Sequence, residues 1–272
     1  MSNKPILLDG SVGSVLWSMA EAKGIEKVPV WRYNIEQPGM VLALHKSYVD
    51  AGSKIIFTNT FSANPESVAR SSGYSVSQVF SAAINLAKKV AEGTDVKVAL
   101  DLGPLSQLLE PYGKLTKAET SKIYTELCSL GAEAGVDLIV LETFMDIEMM
   151  TLAAICTKDT GLPFMCSMTF GKRGKTMMGD SVEKIVKALE PLSPLAVGMN
   201  CSSGPVEALP VIKEFAAKTS LPLFFKPNSG MGTAYSAEDF ARELAPAIPF
   251  VHYIGGCCGC GVDYIKALAE KL

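Results

Sequence analysis

Short runs of consecutive apolar residues recur along the chain, each followed by a segment with a helical pattern. The runs span residues 5–8, 54–58, 96–100, 136–141, 163–168, 195–199, 222–226 and 250–254. They are rich in Val, Ile, Leu and Phe and mostly lack the alternation of a strand with one wet face. That pattern predicts parallel strands covered by helices. Helical spacing of apolar residues predicts helices over 75–91, 117–134, 181–189, 208–218, 237–244 and 262–272. The longer stretch between the first two strands contains Trp17, Trp31 and Pro38 and reads as a helix plus an irregular loop. No linker or low-complexity tract interrupts the pattern. Eight strand–helix units predict an α/β chain forming a (β/α)8 TIM barrel, one domain over residues 1–272.

That fold places its chemistry at the C-terminal ends of the strands, so unusual polar residues should follow the apolar runs. Asp9-Gly10, Asn59-Thr60, Asp101 to Pro104, Glu142-Thr143, Thr169, Asn200-Cys201-Ser202, Pro227 to Gly230 and Gly255 to Cys258 all do so. Residues remote in sequence would meet on one rim.

Hydrophobic residues make up 48% and charged residues 19%, which allows a large core and argues against disorder. The net charge of −3 offers no electrostatic reason to expect nucleic acid or an anionic membrane as partner. The first apolar run stops at Asp9, and no stretch reaches about 18 uninterrupted apolar residues, so no signal peptide or membrane span is expected. The chain reads as cytoplasmic.

The seven cysteines are an odd number in a chain too large to need disulfide staples. Cys128, Cys156 and Cys166 stand singly in apolar surroundings and read as small buried side chains. Cys201 at the end of strand six and Cys257-Cys258 at the end of strand eight could give three thiolates to one zinc ion and leave its fourth position open. The flanking Gly255, Gly256 and Gly259 would let the backbone turn both adjacent side chains toward one ion. From spacing alone, a buried packing motif is an equal alternative. Three thiolates would leave zinc with one formal negative charge, favouring activation of a bound thiol over hydrolysis. Cys260 reads as a buried thiol or a spare ligand. His45, in a helical stretch, and His252, within strand eight, read as non-ligands, the latter as a core or barrel-interior side chain.

At this point the chain resembles the homocysteine S-methyltransferase family. The likeness rests on Leu7 to Ser14, Thr58 to Asn64, Leu141 to Phe144, Ser167 to Phe170, Gly198 to Ser202 and Gly255 to Gly259. Within the family it looks most like the homocysteine-binding module of cobalamin-dependent methionine synthase, on the Asn59-Thr60-Phe61 and Pro227-Asn228-Ser229-Gly230 stretches. The resemblance implies zinc on Cys201, Cys257 and Cys258, with the homocysteine thiolate in the open position. It implies that Asp9 and Glu142 hold the substrate ammonium, and that backbone amides around Gly10 and Ser11 receive its carboxylate. Asn228 matches an asparagine that can approach the metal when substrate is absent. Asn59 and Asn200 read either as residues orienting the ligands or as turn formers. Gly230 and Gly232 read as turn glycines.

Three departures bear on these expectations. Ser11-Val12 and Ser14 stand where the methionine synthase module has Ala-Met and Thr. Cys260 replaces a Thr. The chain ends soon after its last helix, so no folate or cobalamin module of its own is expected. The expected reaction is methyl transfer to homocysteine to give methionine, the donor a methylcorrinoid such as methylcobalamin on a partner protein. The alternatives are a small donor, S-methylmethionine or a betaine, and a non-catalytic thiol-binding subunit of a larger complex.

Overall fold

A computed structural model describes residues 4–71, 73–171, 173–230 and 234–272. The apolar runs become strands β1 (Ile6–Leu7), β2 (Ile55–Phe57), β3 (Lys97–Leu102), β4 (Leu138–Phe144), β5 (Phe164–Met168), β6 (Ala196–Cys201), β7 (Leu223–Pro227) and β8 (Tyr253–Ile254). All pair in parallel, in the order β1-β8-β7-β6-β5-β4-β3-β2. A bridge between Leu8 and Ile55 brings the two ends together, closing the (β/α)8 barrel.

The helices among the described residues are α1 (Gly13–Ala22), α2 (Tyr33–Glu36), α3 (Pro38–Asp50), α4 (Pro65–Ser71), α5 (Val76–Ala91), α6 (Lys117–Glu133), α7 (Ile147–Lys158), α8 (Val182–Leu189), α9 (Pro205–Lys218), α10 (Ala237–Leu244) and α11 (Val262–Ala269). Their starts are chemically marked. Ser75 with Gln78 and Thr116 with Glu119 form reciprocal capping boxes on α5 and α6, and the Ser181 and Ser236 side chains cap α8 and α10. Proline at the first position starts α3 and α9, where its missing N–H costs nothing. Helix α9 therefore begins at Pro205, ahead of the expected 208. The connection after β1 holds three helices and a 3-10 turn rather than one helix plus a loop.

Strands β3, β4, β6 and β7 run further than their apolar runs. Strand β6 carries Asn200 and Cys201, and β4 carries Glu142 and Thr143, because ladder hydrogen bonds continue past the last apolar side chain. His252 departs from expectation. It lies just before β8, is exposed rather than interior, and its Nδ1 accepts the Leu223 N–H at 3.2 Å. Gly230 has a φ of 129°, as a turn glycine would, while Gly232 lies outside the described residues.

Strand alternation decides what fills the barrel. Leu8, Phe57, Ala99, Val140, Met165, Ala196, Phe224 and Tyr253 form an apolar interior layer, with the Phe57 and Phe224 rings stacked at 6.3 Å. The opposite faces of the strands pack on the helices in a second, larger core. Two residues further along, the inward positions turn polar: Asp101 follows Ala99, Glu142 follows Val140, Ser167 follows Met165 and Lys226 follows Phe224. All four are buried. A polar floor thus sits on the apolar plug, facing the C-terminal mouth.

Among the described residues no helix is long and apolar enough to cross a membrane.

His45 on α3 is fully buried, and neither imidazole nitrogen has a partner among the described residues. Burial alone pushes it down to about 4 from its ordinary 6.5. Between those values the unfolded chain binds a proton that the folded chain refuses. Folding stability should therefore fall as pH drops through that window, by about 3 kcal/mol in all. His45→Leu should flatten this slope in urea denaturation between pH 7 and 4.5. A stability difference between the two proteins that is independent of pH would refute the assignment.

Candidate metal and substrate site

The Cys201, Cys257 and Cys258 sulfurs lie within 4.8 Å of one another, with Cys201 and Cys258 3.7 Å apart. Their backbones are shaped to achieve this. Cys201 and Ser202 both adopt left-handed conformations, φ 56° and 66°, which turn the chain sharply at the end of β6. The Ser202 hydroxyl secures that bend by accepting the Phe170 N–H at 2.7 Å and pairing with Thr169 Oγ1 at 2.8 Å. After β8, Gly256 leaves room for the Cys260 side chain, and Gly259 takes a φ of 81° against the Ser229 hydroxyl. These two glycines let consecutive cysteines face one point.

Thiol–thiol hydrogen bonds shift the three cysteines in opposing directions, and burial raises them all. Cys201 is held up at about 11, Cys258 at about 12, and Cys257 well above its ordinary value. Three thiols kept protonated and converging on one point form a donor set that a cation would convert to thiolates. Sulfur donors at this spacing suit a thiophilic ion that accepts tetrahedral geometry, as zinc does. Cys260 stands apart. It is fully buried and its Sγ contacts the Pro227 carbonyl at 3.7 Å.

The sulfurs open into a cavity of about 340 Å³ lined also by Gly10, Ser11, Asp101, Glu142 and Lys226. Glu142 faces inward two residues past Val140, and beside it the register is irregular between Leu141 and Phe144, with Thr143 at φ 64°, an uncommon conformation for a β-branched residue. Asn200 clamps it there. Its Oδ1 accepts the Thr143 N–H at 2.8 Å and the Ser167 hydroxyl at 2.7 Å, and its Nδ2 donates to Thr143 Oγ1 at 2.7 Å. The same Nδ2 reaches Cys257 Sγ at 3.7 Å, so one side chain ties the acid to a cysteine. Asn228 lies beside Cys201 and lowers its thiol, while its buried Oδ1 has no hydrogen-bond partner among the described residues. Asn59 lines the cavity but spends its amide on Val30 and Asn34, at 2.7 and 2.9 Å, fixing the 30–34 segment.

Asp9 lies beneath the cavity surface, fully buried. Its Oδ1 accepts Lys226 Nζ at 2.6 Å and its Oδ2 the Phe57 N–H at 2.7 Å. The Lys226 ammonium also sits 3.8 Å from the Phe57 ring centroid. Burial pushes Lys226 down, but Asp9 and Glu142 together outweigh it and hold the lysine protonated. Burial lifts Glu142 to about 7 against the pull of Lys226, and lifts Asp101 well above its ordinary value, with Glu142 adding to the effect.

The Ser11 N–H donates to the Cys260 carbonyl at 2.9 Å, and Tyr48 Oη donates to the Ser11 carbonyl at 2.7 Å. That amide is committed. The Gly10, Val12 and Gly13 amides, entering α1, take no partner among the described residues. Neither Lys226 nor Asp101 has a role in the sequence reading, Asp101 standing there only among the rim residues, and Tyr48 escapes it. An inward–outward count along each strand would have found the first two, since each lies two residues past an interior apolar position.

Three converging cysteines beside buried carboxylates at the C-terminal mouth of a barrel define a candidate site for a metal ion and a small molecule. The homocysteine S-methyltransferase family model matches residues 6–272. The chain belongs to that family, and it is an S-methyltransferase. Three crystal structures of the homocysteine methyltransferase MmuM from Escherichia coli share the fold. The metallated form has a TM-score of 0.83 at 21% identity, covering 99% of this chain and 96% of that one. The apo form gives 0.78 at 20%, with the same coverage. The oxidized form gives 0.81 at 19%, covering 98% and 96%.

The finer likeness to the module of cobalamin-dependent methionine synthase is corrected by these matches, which are to a homocysteine methyltransferase covered over nearly its whole length. With it fall the methylcorrinoid donor, the corrinoid cofactor, cobalamin dependence and the corrinoid-protein partner. The reason is physical. Asn59 fixes a neighbouring segment and Asn228 borders a cysteine, so neither stretch that carried the likeness reports on the donor. Zinc dependence falls with that likeness as an established property; what the described residues show is three cysteine sulfurs spaced to hold a metal ion.

Proposed function

We propose that the protein transfers a methyl group from a small onium donor, S-methylmethionine or a betaine, to the thiol of homocysteine, giving methionine. One observation carries this reading: three cysteine sulfurs meet in the same cavity as a buried glutamate and unpartnered amides at a helix start. Cys201, Cys257 and Cys258 would hold a thiophilic metal ion. When bound, such an ion keeps a coordinated thiol deprotonated and nucleophilic near neutral pH.

The remaining work falls to the chain. The Gly10, Val12 and Gly13 amides, reinforced by the α1 dipole, would receive the substrate carboxylate. The Ser11 hydroxyl, accepting from the Ser14 hydroxyl at 2.6 Å, braces that turn. Glu142, backed by the Asp9–Lys226 pair, would meet the ammonium. Asn200 keeps Glu142 and Cys257 in fixed relation, and Asn228 steadies Cys201. The thiol gives up its proton to solvent as it binds, before transfer. A sulfur lone pair then forms the new S–C bond as the donor's C–S⁺ or C–N⁺ bond breaks, and that electron pair neutralises the onium atom. Residues 1–272 form one barrel domain in this reading. Seven free cysteines support a reducing, cytoplasmic setting.

The test is direct. Protein loaded with zinc should form methionine from homocysteine and at least one of the two donors, and a chelator should stop it. X-ray absorption should show three sulfur ligands becoming four when homocysteine is added. No methionine from either donor would sink the proposal.

A further inference from the structure

The cavity that holds the three sulfurs has two chemically different ends. Its acids, Asp101 and Glu142, are buried in the floor, and among the described residues no other acid lines it. Its outer lip is aromatic. Trp17 and Phe61 line the same cavity and are 39% and 37% exposed. Large rings left part-exposed at a cavity mouth are contact surface rather than core.

Trp17 stands beside the sulfurs and is held in place. One helical turn before it on α1, Ser14 accepts the Gly259 N–H at 3.2 Å, immediately after Cys258. Residues three apart share a helix face, so the indole lies on the Cys258 side of the lip. Its Nε1–H is spent on the Val28 carbonyl at 2.8 Å, which fixes the ring and leaves only the π surface to offer. That surface already takes a cation, since the Lys27 ammonium lies 4.8 Å from the ring centroid. Lys27 is exposed and does not line the cavity, so the part of the ring that does is left uncovered by it.

These features name a ligand chemistry. A methylated sulfonium or quaternary ammonium carries a positive charge but no N–H to donate. Carboxylates in the floor cannot hydrogen-bond it, whereas an aromatic face attracts such a cation through its quadrupole and needs no donor in return. We infer that the Trp17 indole receives the onium head of the methyl donor at the outer lip, and that Lys27, on the same ring, weakens that binding. Trp17 is then the residue that selects a cationic donor. This assignment rests on the onium-donor reading and deepens it.

Steady-state kinetics on the metal-loaded protein read the two substrates separately. Trp17→Leu should raise the KM for the donor, S-methylmethionine or betaine, by about tenfold. Homocysteine affinity by calorimetry, metal content and thermal unfolding should stay as in wild type. Trp17→Phe keeps an aromatic face and should stay within about threefold of wild type. Lys27→Met removes the competing charge and should lower the donor KM, while Lys27→Arg should not. Trp31 is fully buried, so a change in tryptophan emission on adding donor reports Trp17 and should vanish in Trp17→Phe. A donor KM that Trp17→Leu leaves unchanged overturns the inference, and so does one that rises together with a loss of homocysteine affinity, the mark of a merely structural role. In both cases methionine formation still upholds the functional reading. Wild-type protein that forms no methionine from either donor overturns that reading and the inference with it.

Discussion

Cys257→Ser should strip the metal from the protein and lower methionine formation by about a thousandfold or more, with the barrel still folded. A hydroxyl is a poor ligand beside two thiolates, and loss of one of three protein ligands exceeds the 10- to 100-fold penalty typical of disturbing an outer partner. The fold should survive because the sulfur carries none of it. The Cys257 backbone keeps its bond to the Pro227 carbonyl at 2.8 Å, and the apolar plug and outer core lie elsewhere. Elemental analysis, activity and thermal unfolding measured together decide the matter. A variant that unfolds would make the metal structural, and one that retains a full equivalent of metal would remove Cys257 from the ligand set.

Lys226→Met should destabilise the protein by about 3–5 kcal/mol near neutral pH, because it leaves the buried Asp9 carboxyl without its partner. The sign of the pH dependence follows from the same burial. Burial raises the Asp9 carboxyl above its ordinary 3.8 and Lys226 lowers it, so removing the lysine should raise it further in the folded protein. The folded variant then holds a proton that the unfolded chain has released, so its stability falls as pH rises and is best kept at low pH. Urea denaturation at pH 5 and pH 8 should show a wider gap from wild type at pH 8. Adding Asp9→Asn should restore more than half of the loss. A single variant as stable as wild type, or a gap that widens on acidification, would refute the pairing.

The barrel was legible because a parallel strand buried on both faces must be apolar nearly throughout, and eight such runs leave few other architectures. Helix α7 shows the limit. Ile147 to Lys158 is rich in buried Met, Ala and Ile, so no contrasting polar face announces it. The cysteines were legible as a trio at strand ends, but whether they packed or converged depended on left-handed turns at Cys201 and Ser202 that no spacing encodes. The donor was misread for a related reason. Residues that bind the amino acid say little about what approaches it from outside.

Asp9 and Glu142 mark the division most sharply. Their types and their places at the ends of two apolar runs followed from the chain alone, because local pattern is a one-dimensional property, although Glu142 itself lies within β4. Which of them faces the cavity did not, since it hangs on Lys226, 217 positions from Asp9 in sequence and 2.6 Å from it in space. The chain's own pattern suffices for strands, core and the cysteine trio. Closure of the barrel, by bringing distant charges together in a buried layer where each must be neutralised, decides which acid is spent internally and which are left for a ligand.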